Sequence, residues 1–112
     1  MHRALQPKMK AMSDAILEGM VNGLGMPRDD LFQAFRLHDE GELVYSPTHA
    51  GAQRTDIIFI EIIAGSGYSD EVKQAGMSAI ADELAKIGVK RDNVLLVTVD
   101  VFGSAWYSPK AE

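Results

Sequence analysis

Four side chains in this sequence could do chemistry. Asp30 stands in the phrase Gly25-Met26-Pro27-Arg28-Asp29-Asp30-Leu31, between a helix-like run and a strand-like run. Arg54 lies ahead of a long apolar run and could hold an anionic substrate through its guanidinium. Tyr68 could donate a hydrogen bond from its hydroxyl, and Trp106 could line an apolar pocket wall. Each residue also has a purely structural reading. Asp30 suits a turn that solvates a helix-to-strand connection. Arg54 suits a surface ion pair. Tyr68 suits aromatic packing at a strand end, and Trp106 an interface anchor or core cover. The three histidines, His2, His38 and His49, lack metal-ligand spacing, and the chain has no cysteine. No metal, cofactor, thiolate nucleophile or disulfide framework is expected.

The elements that must carry these residues fit in one domain, 1–112, since 112 residues are enough for one core and too few for two. A hydrophobic content of 46% with 24% charged residues is ordinary for a soluble globular chain. The net charge of −5 argues against nucleic acid as the main partner. No apolar run is long enough to span a membrane, and no signal-peptide pattern opens the chain, so a cytoplasmic location is expected.

Met9, Met12, Ile16, Met20 and Leu24 recur at three- and four-residue steps and predict a helix over about 7–24. Pro7 suits its first turn, and Gly25 followed by Pro27 ends it. Leu31–Leu37 reads as a strand, HDEGE (38–42) as a solvated turn, 43–45 as a short return strand and 46–55 as a loop. Asp56–Ala64 (DIIFIEIIA) is the strongest strand signal, and its nearly unbroken apolar character predicts burial on both faces. After Gly65-Ser66-Gly67, Ser69 is a candidate N-cap for a second helix at about 69–87. Val72, Gly76, Ile80, Leu84 and Ile87 form its inner stripe. Val94–Val101 is another buried strand, and the tail from Phe102 has no regular pattern.

The phrase at 25–31 returns at 88–94 as Gly88-Val89-Lys90-Arg91-Asp92-Asn93-Val94, 63 residues on. The same shift carries the second helix onto the first and strand 94–101 onto 31–38. The chain therefore reads as one βαβ unit used twice, at about 1–38 and about 56–101. Carried back by 63, strand 56–64 falls ahead of Met1, so the first strand of the first unit is apparently absent from residues 1–112. Three arrangements would account for this: a start drawn at an internal Met, a strand supplied by a neighbouring chain, or an adapted fold. The fold class is α/β (α+β), a duplicated βαβ unit with two helices on one face of a mixed sheet.

Several stretches in order resemble the tautomerase superfamily, specifically its malonate semialdehyde decarboxylase-like branch. They are LQPKMKAMSDAI, GMPRDDLFQ, AQRTDIIFIEI, SGYSDEVK and ADELAKIGVKRDNV, followed by Trp106 in the tail, and together they cover roughly residues 5–108. The resemblance implies a four-stranded sheet, a homotrimer and no cofactor. It also implies proton transfer next to a carbonyl, or decarboxylation, of a small anionic oxo acid. The catalytic group of that family is an N-terminal proline, whose amine an apolar, cation-lined pocket tunes into a general base. Asp30 matches the family's catalytic aspartate, in the context Pro27-Arg28-Asp29-Asp30-Leu31-Phe32-Gln33. The proline would lie about seven residues ahead of Met1, and the family's substrate arginines fall near Ser66 and Tyr68, neither of them basic. The apolar wall of the family's pocket falls at Trp106-Tyr107-Ser108. No appreciable phenylpyruvate or oxalocrotonate tautomerase activity is expected from residues 1–112, and the alternative reading is a non-catalytic trimeric binding or scaffold protein that kept the fold.

Overall fold

The computed structural model describes residues 1–109. Helix α1 spans Met9–Leu24, and a 3-10 stretch at Arg3–Lys8 leads into it. Pro7 lies in that stretch, and without a backbone donor it cannot enter the α-helical ladder, so α1 begins beyond it. Gly25 closes α1 at φ +71°, its N–H bonded to the Val21 carbonyl at 3.1 Å. Helix α2 spans Asp70–Lys86, and the Ser69 hydroxyl accepts the Val72 N–H at 3.2 Å, the cap its sequence predicts.

Strands β1 (Ile58–Gly65) and β2 (Val94–Val101) pair in parallel, from Ile58 opposite Val94 to Gly65 opposite Val101. Alternate residues face the helices. Ile58 and Ile62 join Met12, Ile16, Ile80 and Leu84 in the core, where Ile80 and Leu84 are fully buried. The helices approach closely because Gly19 and Gly23 of α1 lie against Ile80 and Gly76 of α2.

Several expectations need correction. Residues 31–37 are not a strand. They run without helix, turn or bend, and only His38 forms a bridge, parallel, to His2. Their burial alternates as a strand's would, with Gln33, Phe35 and Leu37 half-buried and Phe32, Ala34 and Arg36 exposed. What they lack is a partner, and a strand is defined by its ladder. Residues 43–45 also form no strand; Val44 projects into solvent. β1 begins at Ile58 rather than Asp56, because the backbone N–H groups of Thr55 and Asp56 bond to the Asn93 side chain. The strands are covered on one face only. Phe59, Ile63, Leu95, Val97 and Val99 line the other face in the open, since both helices lie on the first. The tail contains one 3-10 turn at Gly103–Ala105.

The 63-residue shift relates bonds as well as letters. It takes the Gly65–Val101 pair onto His2–His38, and the Ser66 N–H to Val101 carbonyl bond (3.1 Å) onto Arg3 to His38 (2.8 Å). It takes the Asn93 N–H to Lys90 carbonyl bond onto Asp30 to Pro27, each 3.0 Å.

Candidate functional site

Parallel pairing brings the C-terminal ends of β1 and β2 together, and two of the four candidate residues lie there. The chain leaving β1 turns at Ser66-Gly67 to reach half-buried Tyr68, just ahead of α2. The chain leaving β2 turns through Gly103–Ala105 to reach Trp106. Both returns are tied to one acceptor. The Val101 carbonyl takes the Ser66 N–H at 3.1 Å and the Trp106 indole N–H at 3.2 Å. Trp106 keeps about half its surface exposed, at 51%, so its ring is available to a ligand as well as to a neighbour.

Asp30 lies toward the same end. His2 bridges His38 and also pairs with Asp56, which sets residue 38 beside the start of β1. The unbent segment 31–37 then runs back along the direction of β1 toward its far end, where Asp30 begins it. Asp30 is exposed, and among the described residues its carboxylate accepts no hydrogen bond; only its backbone N–H is engaged, to Pro27. Lys73, at this end of the sheet, is bound to Asp100 at 2.8 Å, and that hydrogen bond raises the lysine above its ordinary pKa. Its charge is thus already matched.

Arg54 is at the other end. It precedes β1, so an eight-residue strand, about 26 Å at 3.3 Å per residue, separates it from Tyr68. Its Nη1 donates to the carbonyls of Ser46 (3.2 Å) and His49 (2.9 Å), and its backbone N–H to Pro47 (2.9 Å). These bonds hold the 46–54 loop, including Ala50 in the left-handed region at φ +61°. The structure therefore groups Asp30, Tyr68 and Trp106 and places Arg54 elsewhere.

Sequence reasoning missed the polar cluster beside Arg54's end of β1. His2 Nδ1 contacts the Asp56 carboxylate, and the Met1 amine donates to the Arg36 carbonyl at 3.1 Å. Burial lowers the pKa of that amine, an effect opposed by Asp56. His2 and Asp56, with Arg3, His38 and Asp39, border an open cleft of about 340 Å³. Buried Asn93 is the second omission. Its Oδ1 accepts the N–H groups of Thr55 (2.8 Å) and Asp56 (3.2 Å). The signal for it was present in the echo of Asp30. Among the described residues no three His, Cys, Asp or Glu side chains are grouped to hold a metal ion, and no helix is long and apolar enough to cross a membrane.

A two-helix layer over a parallel strand pair, with an acid and two aromatics at one sheet end, defines a small α+β protein of the tautomerase type. The tautomerase enzyme family's profile matches residues 30–106, more than half of the chain, and the chain belongs to that family. It is similar to the probable tautomerase YusQ of Bacillus subtilis (strain 168), with 28% identity over 91 residues, 80% of this chain and 72% of that one. Among solved structures, the FG41 malonate semialdehyde decarboxylase inhibited by 3-bromopropiolate superposes with a TM-score of 0.85 and 26% identity, over 95% of this chain and 82% of that one. A second malonate semialdehyde decarboxylase, described with decarboxylase and hydratase activities, gives a TM-score of 0.84 at 24% identity, over 95% of this chain and 83% of that one. These likenesses place the chain beside the malonate semialdehyde decarboxylase-like branch of the superfamily.

Proposed function

We propose that the sheet end bearing Asp30, Tyr68 and Trp106 is a site for a small anionic oxo acid, and that its chemistry is proton transfer next to the carbonyl or decarboxylation. The observation that carries this reading is the uncommitted Asp30 carboxylate. It occupies the turn where the second unit has a fully engaged Asn93. In this reading the described residues supply the acid and an aromatic wall, while an amine base and a free cation for the substrate carboxylate are not among the described groups at that end. Binding is therefore expected without turnover. Trp106 is the single tryptophan, so its fluorescence reports the site alone. Titration with pyruvate is expected to change it saturably, and Tyr68→Phe to weaken the binding several-fold, as for loss of one hydrogen bond. Ketonisation of phenylpyruvate enol is expected to run at the buffer rate. A faster rate that Asp30→Ala abolishes would overturn the expectation, and no saturable fluorescence change would overturn the site.

The second reading is a non-catalytic trimeric binding or scaffold protein, and the bare face of the sheet favours it. Phe59, Ile63, Leu95, Val97 and Val99 form an apolar patch on adjacent strands, interrupted by Glu61. Both readings place that face between copies of the chain in a homotrimer. Light scattering is expected to give the mass of three chains for the parent protein and of one chain for Val97→Lys, which would bury a charge at the contact. A monomeric parent would overturn the assembly.

A further inference from the structure

The 63-residue shift that relates the two units also relates the two ends of the sheet. The turn after α1 and the entry to α2 flank the end that bears Asp30 and Tyr68. The turn after α2 and the entry to α1 flank the other, where a cleft of about 270 Å³ opens beside the start of β1. Its wall includes Asn93 and Leu5, the residues that the shift pairs with Asp30 and Tyr68. It also includes Lys8 and Lys90, which the shift pairs with Glu71 and Pro27. The second end therefore has cations where the first has none, and an amide and an alkyl group where the first has an acid and a hydroxyl.

The two lysines are set apart from the rest. Lys10, Lys73 and Lys86 each lie against an acid. Lys8 and Lys90, the remaining described lysines, have no acid partner among the described residues, and both line this cleft. Lys90 Nζ donates to the Gln53 carbonyl at 2.6 Å, a neutral acceptor that positions the ammonium and leaves its charge unmatched. Between the lysines the wall is apolar, made by buried Met12, Ile58 and Val89 and half-buried Leu5. Asn93, itself buried, gives one amide hydrogen to the Thr55 hydroxyl at 3.2 Å. Its second amide hydrogen has no acceptor among the described residues. Asp56 is the one acid on the wall, and its carboxylate contacts His2 of the neighbouring cleft.

We propose that this cleft binds a small aliphatic monocarboxylate, with its carboxylate held by Lys8 and Lys90 and its chain laid on Leu5, Met12, Ile58 and Val89. Two lysines against one aspartate leave one net positive charge on the wall, which suits a single carboxylate. Among the described residues the wall has no aromatic ring on which a planar ligand could stack. The spare Asn93 hydrogen gives the carboxylate a further donor. With an amide and a leucine in the places of Asp30 and Tyr68, the ligand is bound and not converted. The inference does not rest on the oxo-acid reading of the other end.

Hexanoate is the probe. In an NMR titration it is expected to shift the backbone amide signals of Leu5, Val89, Lys90 and Asn93 saturably and to leave the Trp106 indole signal in place. Hexanol, with the chain and no charge, is expected to bind about tenfold more weakly, and acetate, with the charge and no chain, likewise. Lys8→Ala and Lys90→Ala are each expected to weaken hexanoate about threefold to fivefold, as for loss of one exposed ion pair. Both lysines are exposed, so neither change disturbs the core. Lys8→Arg is expected to keep the affinity. Absence of saturable shifts would overturn the inference, as would hexanol or acetate binding as tightly as hexanoate, or equal affinity in both alanine variants. Hexanoate shifts centred on Trp106 would place the ligand at the other end and overturn it too. The response of Trp106 to pyruvate decides the oxo-acid site separately.

Discussion

Gly19→Ala is expected to destabilise the fold by about 2 kcal/mol, while Gly76→Ala is expected to be nearly neutral. A Cβ on Gly19 would lie 2.5 Å from the Ile80 Cα and 2.7 Å from its backbone nitrogen. Those atoms belong to a fully buried segment of α2, so the helices must separate to admit one methyl group. Overpacking of this kind costs about 1–3 kcal/mol or more, and a backbone obstacle places it at the upper end. Against that stands the roughly 1 kcal/mol by which alanine is the better helix former. A Cβ on Gly76 meets instead the Leu24 side chain, 2.5 Å from Cδ2 and 2.7 Å from Cγ, in the last turn of α1. A change at χ1 of Leu24 moves both atoms away without shifting backbone, so the propensity gain and the strain roughly cancel. Urea unfolding of the two variants checks this. Equal midpoints would show that the helix contact is not set by Gly19.

The two glycines also mark a limit of reading by periodicity. The apolar stripe of α1 faces inward as its spacing predicts, with Met12 and Ile16 buried and Met9 and Met20 packed against the core, but Ala15 and Gly19 are buried there too and the stripe omitted them. Where two helices come this close, small residues share the contact with large ones, and an apolar count passes over them. Propensity and capping were more informative. Ser69, Gly25 and the strand 94–101 act locally, and each is found where its residue types demand. Pairing is not local. Residues 31–37 carry every strand signal that side chains can give, and they form no ladder because no strand among the described residues lies beside them.

The site was legible in the same uneven way. Tyr68 and Trp106 were chosen by resemblance, and parallel pairing of β1 with β2 sets both at one sheet end, where the Val101 carbonyl takes the Ser66 N–H and the Trp106 indole N–H. Arg54 was chosen as the arginine just ahead of the apolar strand. It stands before β1 whereas Tyr68 follows it, and its guanidinium binds the carbonyls of Ser46 and His49. The His2–Asp56 contact joins residues 54 apart and has no local signature.

Asn93→Ala is expected to cost about 2–3 kcal/mol, and Asn93→Asp less than about 1 kcal/mol. The Asn93 side chain is the crossing point of the second unit. Its Oδ1 receives the N–H groups of Thr55 at 2.8 Å and Asp56 at 3.2 Å, and its Nδ2 donates to the Thr55 hydroxyl at 3.2 Å. Alanine removes the acceptor and leaves two part-buried backbone donors to find water, at about 1–3 kcal/mol for each one left unsatisfied. The buried volume that the amide fills is lost as well. Aspartate keeps an oxygen at the same place, and the Thr55 hydroxyl can rotate to donate to it, so the backbone bonds survive. Thermal unfolding of the three proteins, with hydrogen exchange at Thr55 and Asp56, separates the two effects. Loss of protection at both amides in Asn93→Ala, with recovery in Asn93→Asp, is the expected pattern. Equal losses in both variants would mean that the amide donor, not the acceptor, holds β1. That outcome would also remove the basis for treating Asp30, an acceptor without a donor, as its counterpart in the first unit.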